Sequence, residues 1–198
     1  VIGSEVYYGA QWNKASLHLH PLKYALGLAK AALDAGVTIY ENSRVQSYSG
    51  TPVIVKTGQG QVTASELILA CNGYIEDLEP KINGYIMPIN NFVLATEPLS
   101  PEILASVVPK DTSMGDSRFV VNYWKLSGDN RLIFGGGENY RRGFPSDIKG
   151  FVQKYMLQVY PQLSDTQIDY GWGGTLAITM NRLPHFGRIN GNIWHLQG

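Results

Sequence analysis

Ala64-Ser65-Glu66-Leu67-Ile68-Leu69-Ala70-Cys71-Asn72-Gly73-Tyr74 is the stretch whose reading decides the fold. Leu67 to Cys71 is apolar at every position rather than at alternate ones, the pattern of a strand buried on both faces of a parallel sheet. The run stops at Asn72-Gly73, where glycine frees the backbone. In open α/β sheets ligands bind beyond the carboxyl ends of such strands, and a glycine there lets the main chain come close to one. Cys71 ends the buried run and reads as a small hydrophobe rather than a nucleophile.

Upstream, Leu22, Ala25, Leu26, Ala29, Ala32 and Leu33 recur at the spacing of a one-faced helix. Pro21 marks its start and Gly36 its end. Val37 to Tyr40 follows as a strand by composition. Helix, strand and then the buried strand at Leu67 give the rhythm of a dinucleotide-type α/β domain. Between the strands, Arg44 to Tyr48, Pro52 to Thr57 and Gln61 to Thr63 are separated by Ser49-Gly50 and Gly58-Gln59-Gly60. They read as an inserted antiparallel meander. Gly58 and Gly60 are no phosphate-binding fingerprint, because they lie in a hairpin and Thr63 stands where a third glycine belongs. Val6 to Trp12 reads as a strand, and His18 and His20 have no third ligand at metal-binding spacing.

Downstream of Leu78-Glu79-Pro80 the character changes. Tyr85 to Thr96 reads as a long strand with Pro88 at an edge or bulge. Phe119 to Trp124 and Arg131 to Phe134 form a hairpin about Ser127 to Asn130. Gly135-Gly136-Gly137 suits close strand packing better than a phosphate cradle, since no Lys-Ser/Thr and helix follow. Ile148, Phe151, Val152, Tyr155 and Val159 make a second helical stripe closed by Pro161. Ile168 to Thr179 is a glycine-interrupted strand region, and Asn192 to Gln197 is a further strand.

The expected fold is therefore α/β plus α+β, a Rossmann-like piece with an inserted meander joined to an antiparallel or mixed sheet with flanking helices. The chain has 198 residues, 44% of them hydrophobic, with 16 Lys+Arg against 16 Asp+Glu and a single cysteine. Zero formal charge argues against nucleic acid or an anionic membrane as the main partner. No apolar run is long enough to span a bilayer, and one cysteine rules out an internal disulfide framework. A reducing, cytoplasmic setting fits.

The order of motifs resembles the FAD-dependent amine oxidoreductases of the D-amino-acid oxidase, glycine oxidase and sarcosine oxidase superfamily, and most of all the gamma-glutamylputrescine oxidoreductases. Three stretches carry the likeness: His20-Pro21 through the helix to Val45, Leu67 to Tyr74, and Trp172-Gly-Gly-Thr-Leu-Ala-Ile-Thr-Met-Asn-Arg-Leu-Pro-His-Phe-Gly187. The last lies where the superfamily has a Trp-x-Gly-x-Arg-Pro block leading to Pro-x-Ile-Gly. The resemblance implies domains over 1–16 (substrate side), 17–82 (partial FAD-binding), 83–180 (substrate) and 181–198 (a return to the FAD-binding domain). It implies FAD as cofactor, held by Val45, Cys71, Asn72, Gly73 and Gly198. It implies a small-molecule amine as substrate, lined by Tyr123, Trp124 and Leu176, with His195 and Gln197 as weaker candidates near the flavin loop. A homo-oligomer is compatible with it, and no catalytic acid, base or metal ligand is assigned.

The likeness also has departures. Leu176-Ala177 stands where relatives that oxidise small amino acids carry an arginine for the substrate carboxylate. The family's glycine fingerprint would lie before Val1, and its flavin loop would begin at Gly198. The chain then reads as the middle and substrate-side portion of a flavoenzyme; the alternative is a non-catalytic binding or assembly module. On the first reading the isolated chain lacks the pyrophosphate site and should purify colourless. A flavin absorption band at one cofactor per chain would overturn that expectation.

Overall fold

The computed structural model describes residues 2–141 and 143–198. In chain order the elements are α1 (Pro21–Asp34), β1 (Val45–Ser49), β2 (Val53–Thr57), β3 (Gln61–Ala64), β4 (Leu67–Leu69), β5 (Ile86–Pro98) and α2 (Pro101–Val107). There follow β6 (Met114–Gly115), β7 (Tyr123–Leu126), β8 (Arg131–Asn139), α3 (Ile148–Val159), β9 (Ile168–Thr179), β10 (His185–Asn190) and β11 (Ile193–Gln197). They fall into two compact units, one of residues 1–26 and 90–174, the other of 27–89 and 175–198. The fold class is the expected mixture of α/β and antiparallel pieces.

The first unit is built on a five-stranded sheet in the order β6-β7-β8-β5-β9. Strand alternation sends Phe92, Leu94, Trp124, Leu132 and Phe134 to one face, where they meet Val152, Met156 and Val159 of α3. Trp124 stacks on Phe134 at 5.5 Å and meets Tyr160 edge-on at 5.8 Å. Each fully buried apolar side chain of this kind contributes about 1.5–3 kcal/mol. The helix begins where Asp147 Oδ1 accepts the Gly150 N–H at 2.9 Å, an N-cap, and gives way at Pro161. The short α2 is a helix the sequence reading did not anticipate; Ser100 caps it by accepting the Ile103 N–H at 3.4 Å. The three glycines of β8 serve packing as expected. A Cβ at Gly135 would lie 2.1 Å from the Tyr123 ring, and one at Gly137 would lie 2.5 Å from Tyr155 and 2.6 Å from Phe151.

Val6 to Trp12 is not a strand, a departure from the sequence reading. β-propensity needs a partner strand to express it, and this segment instead docks through single side chains. The Tyr7 hydroxyl donates to Asp116 Oδ2 at 2.9 Å, and its ring stacks on Trp124 at 5.9 Å. The Asp116 carboxylate also accepts the Asn122 N–H at 2.9 Å and its side-chain amide at 3.0 Å. Phe119 to Asn122 is irregular for this reason: Asn122 turns back on Asp116 rather than extending β7.

In the second unit β1, β2 and β3 form the expected antiparallel meander, with Tyr48 opposite Val55 and Val55 opposite Val62. A separate sheet runs β10-β11-β4, β11 pairing antiparallel with β10 and parallel with β4. Val53, Leu69, Ile75, Ile82, Ala177 and Ile193 make its core. Here the reading of Leu67 to Cys71 is corrected. Only Leu69 is buried, Ile68 is 58% exposed, and the regular strand ends at Leu69, because the core packs against one face of this sheet alone. Val37 to Tyr40 likewise has strand composition but forms no strand. α1 forms where Pro21 and Gly36 (φ +88°) delimit it, yet none of its residues is buried, so its apolar stripe faces solvent.

Burial first, and the hydrogen bond to Asp116 second, push the Tyr7 phenol up to about 12. Its unfolded value is near 10. A raised folded value means the phenol's contribution is complete below pH 10 and is lost as pH rises toward 12. Tyr7→Phe should lower stability at pH 8 by about 1–2 kcal/mol, the cost of one charge-assisted hydrogen bond. It should also shrink the difference in urea midpoint between pH 8 and pH 11. An unchanged difference would show that other groups set the alkaline limit.

Candidate functional site

The turn that follows β4 holds a constrained backbone. Asn72 sits in the left-handed region at φ +51°, which asparagine tolerates better than most side chains. Its Oδ1 accepts two backbone N–H groups at 2.8 Å each, from Gly73 beside it and from Ala177 on β9. Tyr74 adds a third contact, its hydroxyl oxygen accepting the Thr175 N–H at 2.9 Å. Gly73 lets the two backbones meet, for a Cβ there would lie 2.6 Å from the Thr175 carbonyl oxygen. The residues singled out for ligand approach, Asn72 and Gly73, are thus joined to the chain on both sides of Leu176. Leu176 is 41% exposed whereas Ala177 is 1% exposed, so it is the leucine that β9 presents outward.

Val45 and Cys71 lie together in the wall of a cavity of about 470 Å³, shared with Arg44, Gln46, Tyr74 and Glu76. Arg44 pairs with Glu76 at its exposed rim. Burial pushes the Cys71 thiol up, away from the reactive thiolate. Gly198 lies against Pro184, to whose Cα a Cβ would come within 3.1 Å.

A second polar group forms on one face of the β10–β11 hairpin, where His185 is opposite Gln197 and Gly187 opposite His195. Gly187 makes room for the imidazole across from it; a Cβ there would lie 2.5 Å from His195 Nε2. The rings of Tyr85, His185 and His195 follow one another at centroid spacings of 4.7 Å. His195 Nδ1 and both polar atoms of the Gln197 side chain are buried without a hydrogen-bond partner among the described residues. Burial, and then the neighbouring His185, hold the His195 imidazole below its usual value and so favour its neutral form.

In the first unit Tyr123 and Trp124 go to opposite faces of the sheet. Trp124 is 2% exposed inside the aromatic core, while Tyr123 is 37% exposed with its hydroxyl on Asn91 Oδ1. Burial and then Glu138 push the Tyr123 phenol up. Sequence reasoning missed Tyr74 as a contact: its partner lies 101 residues on, beyond any local signal.

Asn72→Ala should remove the shared acceptor and place alanine in the left-handed region, costing about 2–4 kcal/mol in all. Asn72→Gly should cost less, since only the acceptor is lost. Urea denaturation measures both, and the Ala177 amide should exchange faster in each. Equal midpoints for Asn72→Ala and the parent sequence would show that the turn carries no stability.

Comparison with known proteins agrees with this architecture. Residues 3–198 match the family model described as FAD dependent oxidoreductase. The chain is 42% identical over 204 residues to a probable oxidoreductase OrdL of Haemophilus influenzae, covering 100% of this chain and 46% of that protein. It is 39% identical over 199 residues to a gamma-glutamylputrescine oxidoreductase of Escherichia coli, covering 100% of this chain and 47% of that protein. The chain therefore spans about half the length of the curated relatives it matches. Its fold is similar to part of L-proline dehydrogenase from P. horikoshii, with TM-score 0.69 at 19% identity over 90% of this chain and 50% of that one. Glycine oxidase from Geobacillus kaustophilus gives TM-score 0.69 at 18% identity over 88% and 47%. With the family model matched from residue 3 to the last residue, the chain belongs to the FAD-dependent oxidoreductases of the D-amino-acid oxidase type.

Proposed function

We propose that this chain is part of an enzyme that oxidises an extended primary amine, of the gamma-glutamylated diamine kind, to an imine that water hydrolyses to the aldehyde. The carrying observation is Leu176, held outward by the turn at Asn72 to Tyr74 where related enzymes of small amino acids carry an arginine. A desolvated carboxylate without a bidentate cation costs several kcal/mol, and leucine offers methyl groups instead. A chain of methylenes beside the reactive carbon can pack on it at about 0.8 kcal/mol per buried CH₂. The Arg118 guanidinium, another source of positive charge, lies 3.4 Å from Asp116 within its own unit. The name of the Escherichia coli relative supports the same substrate class.

FAD, when bound, supplies the hydride acceptor. The residues present fit a polar cofactor of this kind, since Gln197 and His195 leave buried donor and acceptor atoms unpartnered, and Val45 and Cys71 line a cavity. Val45, Cys71, Asn72, Gly73 and Gly198 are our proposed cofactor contacts; Leu176 is the proposed substrate contact of its unit and Tyr123 that of the other. Trp124 acts from the core, as the support for the strand that carries Tyr123. The amine loses a hydride and a proton, and hydrolysis of the imine releases ammonia.

Anaerobic flavin reduction by the protein expressed from the full reading frame tests the proposal. Acylated diamines should bleach the flavin at least tenfold faster than glycine, sarcosine or D-amino acids. Faster reduction by any of those amino acids would show that Leu176 does not face substrate.

A further inference from the structure

Thr175 and Ala177 flank Leu176, and the N–H group of each ends on a side chain of one turn. Ala177 donates to Asn72 Oδ1 at 2.8 Å and Thr175 to the Tyr74 hydroxyl at 2.9 Å. Backbone donors in a strand are ordinarily satisfied by carbonyls of a neighbouring strand. Here a carboxamide and a phenol do that work, and with Gly73 against the Thr175 carbonyl they fix both peptides beside Leu176. The three contacts differ in what else they do. Asn72 and Gly73 also shape the turn itself, whereas the Tyr74 ring is 58% exposed, so removing its hydroxyl leaves the turn's own geometry intact.

We propose that Tyr74, through its hydroxyl, is a positioning residue that fixes where Leu176 stands and thereby sets the length of amine the enzyme selects. The inference rests on the reading of Leu176 as the residue facing the amine's methylenes. Without the hydroxyl the Thr175 N–H loses this acceptor, and the peptide beside Leu176 loses one of the contacts that hold it in place. Loss of contact with one methylene changes the rate about fourfold, which corresponds to about 0.8 kcal/mol.

The test measures kcat/KM of the full-length flavoprotein for N-acetylated diamines differing by single methylenes, and compares the ratio between lengths. Tyr74→Phe, Leu176→Ala and the double variant are made. A general loss of stability scales all lengths alike and leaves the ratio unmoved, so the ratio reports position. The expected result is a shift of about fourfold in the ratio for each single variant, with the double variant no further shifted than Leu176→Ala. If Leu176→Ala shifts the ratio and Tyr74→Phe does not, the positioning role is overturned and the reading of Leu176 stands. If neither shifts it, both are overturned.

Discussion

The second unit is tied together by two amides of β9 that end on side chains. Ala177 and Thr175 donate to side chains of the turn after β4, and that turn can close on β9 because Gly73 has no Cβ to keep the backbones apart. An amide left without a partner at such a junction costs about 1–3 kcal/mol, a large fraction of a domain's net stability. The turn therefore has little latitude. Asn72 must be left-handed, must carry an acceptor, and must be followed by glycine. Those demands explain why the apolar run stops where it does, independently of any ligand.

How much of this was legible depended on whether the signal was local. Pro21 and Gly36 bracket α1, Pro161 closes α3, and the turns of the meander separate its strands, because caps and turns act within a few residues of themselves. Burial is not local. Leu67 to Cys71 is uniformly apolar, yet Ile68 is exposed, since what covers a face is decided by distant elements. Val6 to Trp12 and Val37 to Tyr40 have the composition of strands but pair with no strand among the described residues.

The candidate site shows the same division. The Asn72-Gly73 pair announced a special backbone, and glycine at 135 to 137 announced close packing. Tyr123 and Trp124, read together, separate because adjacent strand residues point to opposite faces. Only the observed register assigns the tryptophan to the core. His195 and Gln197 were marked by their position near the chain's last glycine. Their common face with His185 follows from the register of the hairpin and could not be read from spacing.

The chain passes from one unit to the other within α1, within β5 and again within β9, and this bears on the order of events during synthesis. The side-chain amide of Asn192, at the start of β11, binds the Ser65 carbonyl just before β4, across 127 residues. At translation rates of about 5–20 residues per second, β4 waits roughly 6–25 seconds for its parallel partner to leave the ribosome. During that interval the segment 90–174 has been made in full and contains both sides of its own aromatic core. Nascent β4, with Ile68 outward and its hydrogen-bonding edge open, is then an edge of the kind that chaperones protect.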